Sequence, residues 1–152
     1  MTVWVDGDSA PRDIRPILLR RGRSIPIRFI ASRKLSDLPE SMLTLVPEGK
    51  DSADHFIENN AALGDLVVTR DIIFAERLVE SGIAAINDRG ELFTKENAAE
   101  RRSLRDSAAE LRFQGLAPAS PKGSQRSAKE TKRFADGLDR ALAALQKQKN
   151  QR

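Results

Sequence analysis

The stretch V3-W4-V5-D6-G7-D8-S9-A10-P11 decides how the rest of the chain is read. An apolar run at 3–5 reads as a strand. It gives way at once to two carboxylates one residue apart, and Ser9, Ala10 and Pro11 then read as the start of a helix, because proline in a first turn has no N–H to leave unsatisfied. Two adjacent acids repel unless water or a cation lies between them. The placing of the chain's other acids discriminates between water and cation.

Beyond residue 11 the pattern repeats. Ile14, Ile17 and Leu18 fall at helical spacing and Gly22 closes that helix. Residues 25–30 read as a second strand and 42–46 as a third, ended by Pro47-Glu48-Gly49. Asp51 opens a helix bearing Ala53, Phe56 and Ile57. Residues 66–69 form a fourth strand. Asp71 opens a helix with Ala75, Leu78 and Val79 on one face and Gly82 as its stop. Residues 83–86 form a fifth strand, 87–90 a turn, and Thr94 caps a long helix reaching about residue 113. Alternation of this kind predicts an α/β fold, three layers around a parallel sheet of four to five strands with right-handed crossovers. The expected organisation is an α/β domain over 1–114, a Gly/Pro/Ser/Lys linker over 115–126, and a basic amphipathic helix and tail over 127–152. That last helix starts at a capping-box pattern, Ser127 to Glu130, and carries Phe134, Leu138, Leu142 and Leu145 on one face. The stripe must pack on the domain or on a second copy, which leaves a homodimer through this helix open.

In a parallel α/β sheet the segments after each strand gather at the carboxyl edge, where such folds bind ligands. Asp6 and Asp8 follow the first strand, Asp51 and Asp54 the third, Asp71 the fourth, and Asn87 and Arg89 the fifth. Convergence of the five carboxylates would place a divalent cation between them. With no Cys and one His in 152 residues, disulfides, thiolate sites and two-His sites are excluded. An all-oxygen donor set suits Mg²⁺ or Mn²⁺ rather than Zn²⁺. Such an ion activates water toward phosphorus, so the arrangement fits a metal-dependent nuclease. Simpler roles compete. Asp51 and Asp71 are good helix caps, Asp6-Gly7-Asp8 suits a plain turn, Asp65 lies at a strand's amino end and reads as turn chemistry, and His55 reads as an exposed helix residue.

The net charge of +4 is unevenly spread. Residues 116–152 hold nine basic and three acidic residues, whereas 1–115 hold 17 basic and 19 acidic. A basic tail suits RNA or another nucleic acid, and equally a solvated charged tail. The sequence shows no signal peptide and no span for a bilayer, so a cytoplasmic protein without membrane contact is expected.

Five motifs stand in order along the chain, VDGDSAP, GKDSADHFI, GDLVVTRDIIFA, NDRGELFT and KRFADGLDRAL. Together they resemble the YaiI/YqxD family, related to the PIN-like nuclease superfamily. VDGDSAP resembles the family's opening VDADACP, with Gly7 and Ser9 departing from it. GKDSADHFI resembles G-x-D-x-A-D, GDLVVTRDIIFA resembles GD-x-VVT-x-DI-x-LA, NDRGELFT resembles NPRGELYT, and KRFADGLDRAL resembles the family's basic C-terminal helix. The resemblance implies a PIN-like domain with Asp6 and Asp71 as central ligands of Mg²⁺ or Mn²⁺ and with Asp8, Asp51 and Asp54 binding the metal directly or through water. Asp6, Asp71 and Asp54 would carry catalysis. Ser9 in place of the family's Cys implies that the chemistry needs no thiol. By position, Arg89, Lys50 and Arg33 would meet substrate phosphates, with Ser9, Thr69 and Asn87 also facing substrate. One alternative is a non-catalytic RNA-binding or regulatory protein on a nuclease-like scaffold. Asp-x-Asp after a first strand also resembles haloacid-dehalogenase-type phosphatases, but the Asp51/Asp54 pair has no role there. A receiver-type acceptor would need Asp directly after the third strand, where Pro47 stands.

Overall fold

The computed structural model describes residues 1–49, 51–113 and 126–151. Five strands, β1 (Val3–Asp6), β2 (Ile27–Ala31), β3 (Leu43–Leu45), β4 (Leu66–Val68) and β5 (Ala84–Ile86), form one sheet in the order β3-β2-β1-β4-β5. Every pairing between them is parallel. The helices are α1 (Arg15–Arg21), α2 (Ser52–Asn60), α3 (Ile72–Glu80), α4 (Lys95–Phe113) and α5 (Ala128–Asn150). Short 3₁₀ turns at Arg12–Ile14 and Glu40–Met42 precede α1 and β3. The helix expected directly after Pro11 thus begins as a 3₁₀ turn; β1 runs one residue longer than expected, β2 starts two residues later and ends one later, and β3, β4 and β5 are shorter by one or two residues.

Because side chains alternate across a strand, β1, β2, β4 and β5 feed two cores. Val3 and Val5, Ile27 and Phe29, Leu66 and Val68, and Ile86 face α1 and α5. Ile30, Val67 and Ala85 face α2 and α3, joined by Phe93 and by Ala98 of α4. The sheet is therefore the middle of three layers, and it is apolar on both sides, as buried parallel strands are.

The Phe134/Leu138/Leu142 stripe of α5 lies in the first of these cores. Phe134 and Leu138 are fully buried, and Leu145 packs at the margin. Each large side chain so buried contributes about 1.5–3 kcal/mol. The covering surface is the chain's own α/β layer. Backbone contact is closest where Gly90 (φ +74°) meets Gly137, since a Cβ on Gly137 would lie 2.2 Å from the Gly90 carbonyl oxygen. At its start, α5 is tied down by Arg126. That side chain donates to Asp13 Oδ2 at 2.9 Å and to both the carboxylate and the carbonyl of Asp88. Thr131 Oγ1 donates to the same Asp13 oxygen at 2.6 Å. Ser127 caps α5 by accepting from Glu130 N–H at 3.2 Å. The linker expected over 115–126 lies, except for Arg126, outside the described residues. Among the described residues no helix is long and apolar enough to cross a membrane.

Candidate metal centre

β1 and β4 are neighbours, but the chain leaves β1 toward β2 on one side and reaches β4 and β5 on the other. Their carboxyl ends flank the point where the winding reverses, and a crevice opens there in folds of this kind. Asp6 ends β1 and is buried. Its Oδ2 accepts from Ser9 Oγ at 2.9 Å and from Thr69 Oγ1 at 3.1 Å. Thr69 Oγ1 in turn accepts from Asp71 N–H at 3.1 Å, and Ser9 Oγ accepts from Arg70 N–H at 3.4 Å. Ser9 and Thr69 thus stand behind Asp6 and stitch the end of β1 to the segment after β4. Burial raises the Asp6 carboxyl above the usual range, and the charge of Asp8 adds to this, against the hydrogen bonds from Ser9 and Thr69.

Helices α2 and α3 bring the other acids. Carboxylate oxygens of Asp51, Asp54 and Asp71 lie within 4.8 Å of one another. Asp71 is the N-cap of α3, its Oδ1 accepting from Ile73 and Phe74 N–H at 3.0 and 3.1 Å. Its Oδ2 takes no hydrogen bond from a described residue. Asp51 precedes α2 but makes no side-chain cap, because its backbone is left-handed (φ 63°, ψ 19°). No other non-glycine residue among those described has positive φ, and backbone strain of this kind gathers at functional sites. Asp54, in the first turn of α2, is only 5 % exposed. Its carboxyl is pushed up to about 8, by burial first and then by the charges of Asp6, Asp71 and Asp51, with Arg77 opposing. Arg77 is itself held by Glu58 at 2.6 Å. The acids therefore repel one another, and near neutral pH a proton on Asp54 relieves that repulsion.

The expected convergence of five carboxylates becomes three around one point, with Asp6 adjoining them. Asp8 stands apart. The turn after Gly7 breaks the alternation of the strand, and both oxygens of Asp8 accept from Ser32 N–H at 3.1 Å at the end of β2. Asn87 is occupied within its own turn, where Oδ1 accepts from the N–H groups of Arg89 and Glu91. Arg33 and Arg89 are exposed, and no described residue pairs with either guanidinium. Lys50 lies outside the described residues. Asp65 does more than turn the chain, since it accepts from Thr2 N–H, Ala62 N–H and Trp4 Nε1. His55 is exposed on α2, as expected.

Beside the acids lies a charge network the sequence did not signal. Asp88 receives both Arg126 and, at 3.5 Å, Arg70. Burial acts to raise the Asp13 carboxyl, but Thr131 and Arg126 outweigh it and hold it below the ordinary range. Nothing in spacing or periodicity marks these partners, which lie up to 118 residues apart.

The profile of the uncharacterised YaiI/YqxD family matches residues 4–144. The chain belongs to this family. It is similar to a UPF0178 protein of Geobacter metallireducens, 43 % identical over 95 % of both chains. It is also similar to those of Treponema pallidum (42 %, 95 % of this chain and 83 % of the relative) and Myxococcus xanthus (41 %, 97 % of both). No solved structure matches. The five YaiI/YqxD motifs now have places. The first supplies Asp6 and its brace Ser9, the second Asp51 and Asp54, and the third β4 with Asp71. The fourth and fifth meet at Gly90 and Gly137.

Proposed function

We propose that this protein is a divalent-metal-dependent nuclease acting on RNA or single-stranded nucleic acid. The observation that carries the reading is the Asp51/Asp54/Asp71 cluster at the sheet's switch point, with Asp6 beside it and Asp54 held up to about 8. A hard, oxygen-preferring cation fits this set. The donors are all carboxylates, they lie close enough to share one ion, and without one their mutual repulsion holds a proton on Asp54. Asp51, Asp54 and Asp71 would hold Mg²⁺ or Mn²⁺, and Asp6 would adjoin it from the floor of the crevice. When bound, such an ion supplies charge neutralisation on a phosphodiester and lowers the pKa of water at the site.

The chain's own residues do the rest. Ser9 and Thr69 fix the orientation of Asp6, and the α3 N-terminus fixes Asp71. Asp54, protonated near neutrality without metal, would give up its proton to hold the cation. Arg70, exposed at the rim and leaning on Asp88, is placed to meet a phosphate. The phosphatase reading is disfavoured, because its acid/base would be Asp8, which is engaged by Ser32. The test is cleavage of single-stranded RNA with Mn²⁺, Mg²⁺ or chelator, using Asp54→Asn and Asp71→Asn as controls. Metal-dependent cleavage lost in both variants supports the reading. Metal-independent cleavage sinks the metal reading, and absent cleavage sinks it in favour of a binding protein.

A further inference from the structure

A groove of about 840 Å³ runs between α5 and the β5 edge, from the 89–90 turn at the carboxyl edge to Leu63 and Gly64 at the other end. It exists because α5 has two stripes. One carries the large side chains of the core. The adjacent one is small at Ala141 and Ala144 and leaves the helix surface hollow beyond Gly137, where the Gly90 backbone closes on the helix. The hollow's apolar surface comes chiefly from two exposed leucines, Leu63 (63 %) and Leu92 (49 %), with the buried Ile83, Ile86 and Phe93 beneath. Its charges are chiefly positive. Arg89, Arg133 and Arg140 are exposed, and no described residue pairs with their guanidinium groups. Of the two acids present, Glu91 is taken by Arg101 at 2.6 Å, which leaves Asp136.

We propose that this groove binds the substrate strand outside the acidic centre, with the bases on its apolar floor and the phosphates on Arg89, Arg133 and Arg140. The inference rests on the nuclease reading for the ligand's identity. Arg133 and Arg140 stand about 10 Å apart along α5, at ~1.5 Å rise per residue, which suits a ligand charged along its length better than one phosphate. The groove also opens where the crevice ends. Arg89 follows Asp88, Asp88 pairs with Arg70, and Arg70 precedes Asp71, so a strand leaving the acids meets Arg89 next. Single strands bind in this manner, through a cationic track beside surfaces that accept bases.

The test is filter binding of a single-stranded oligoribonucleotide to the full chain in chelator, where nothing is cleaved. Compared proteins are wild type, Arg133→Glu/Arg140→Glu, and Ala144→Trp, which fills the hollow from an exposed position and leaves charge unchanged. Loss of two phosphate contacts should lower the slope of log affinity against log salt by about 1.4 and weaken binding about tenfold at moderate salt. Ala144→Trp should weaken binding with the slope retained. Binding indifferent to both changes overturns the proposal, as does equal competition by adenosine 5′-monophosphate at matched nucleotide concentration. Cleavage in Mn²⁺ is scored separately. Cleavage with groove-insensitive binding defeats the groove alone, and groove binding without cleavage defeats the nuclease reading alone.

Discussion

With its carboxyl held up to about 8 against an ordinary 3.8, Asp54 keeps in the folded protein a proton that the unfolded chain releases. The folded state binds more protons between those values, so stability falls as pH rises from about 4 to about 8 in the metal-free protein. Melting curves in chelator at pH 5 and pH 8 should show wild type losing stability and Asp54→Asn losing much less. Asp71 separates two roles in one residue. Asn caps a helix about as well as Asp, so Asp71→Asn should keep metal-free stability or raise it while abolishing the response to metal. Asp71→Ala should cost about 1 kcal/mol, because the N–H groups of Ile73 and Phe74 lose their acceptor. At this scale the acids were legible from their positions after strands, but their orientations were not. Asp8 was turned onto Ser32 by a tight turn whose dihedrals no spacing rule gives, and Asp51 lost its cap to a left-handed backbone.

Helix α3 shows how much an element's ends reveal in advance. Its cap is Asp71, and its exit is a Schellman turn. Gly82 takes φ +82°, Gly82 N–H bonds to Val79 O, and Ile83 N–H bonds to Leu78 O at 2.9 Å. Both ends carry residues with one dominant use, and both were readable. The amphipathic stripe of α5 was readable too, but its seat was not, because the Gly90–Gly137 approach joins residues far apart in the chain. That contact makes a sharp prediction. Alanine favours a helix over glycine by about 1 kcal/mol, yet Gly137→Ala should destabilise by about 1–3 kcal/mol through overpacking. Its Cβ has backbone, not a yielding side chain, 2.2 Å away. Denaturant titration gives the sign, and amide exchange should show α5 opening first. Leu138→Ala should cost about 2–5 kcal/mol, with the same loss of protection in α5.

For the molecule entire, the alternation of strand and helix was enough to specify three layers, since parallel strands need crossovers and two apolar faces need two covers. Strand order was not specified, and it is strand order that sets β1 beside β4 and so creates the crevice. If the cluster holds a cation, folding and binding are linked. Mg²⁺ or Mn²⁺ at a hundred times its dissociation constant should stabilise by about 2.7 kcal/mol, visible as a raised melting temperature relative to chelator. Protons compete for the same oxygens, so the shift should be larger at pH 8 than at pH 5. A melting temperature indifferent to either ion at pH 8 would return the cluster to a purely structural role.

Trp4 lies edge-on to Phe56 of α2, ring centroids 6.5 Å apart, with its indole N–H on Asp65 at 3.0 Å. The chain has one tryptophan and no tyrosine, so its near-ultraviolet emission comes almost wholly from a ring that touches the helix bearing Asp54, with Asp51 just ahead of it. A cation that drew those two acids toward Asp71 would pull on the start of α2 and alter the setting of that ring. Unlabelled emission from Trp4 is then an optical gauge of whether the acidic cluster takes a cation.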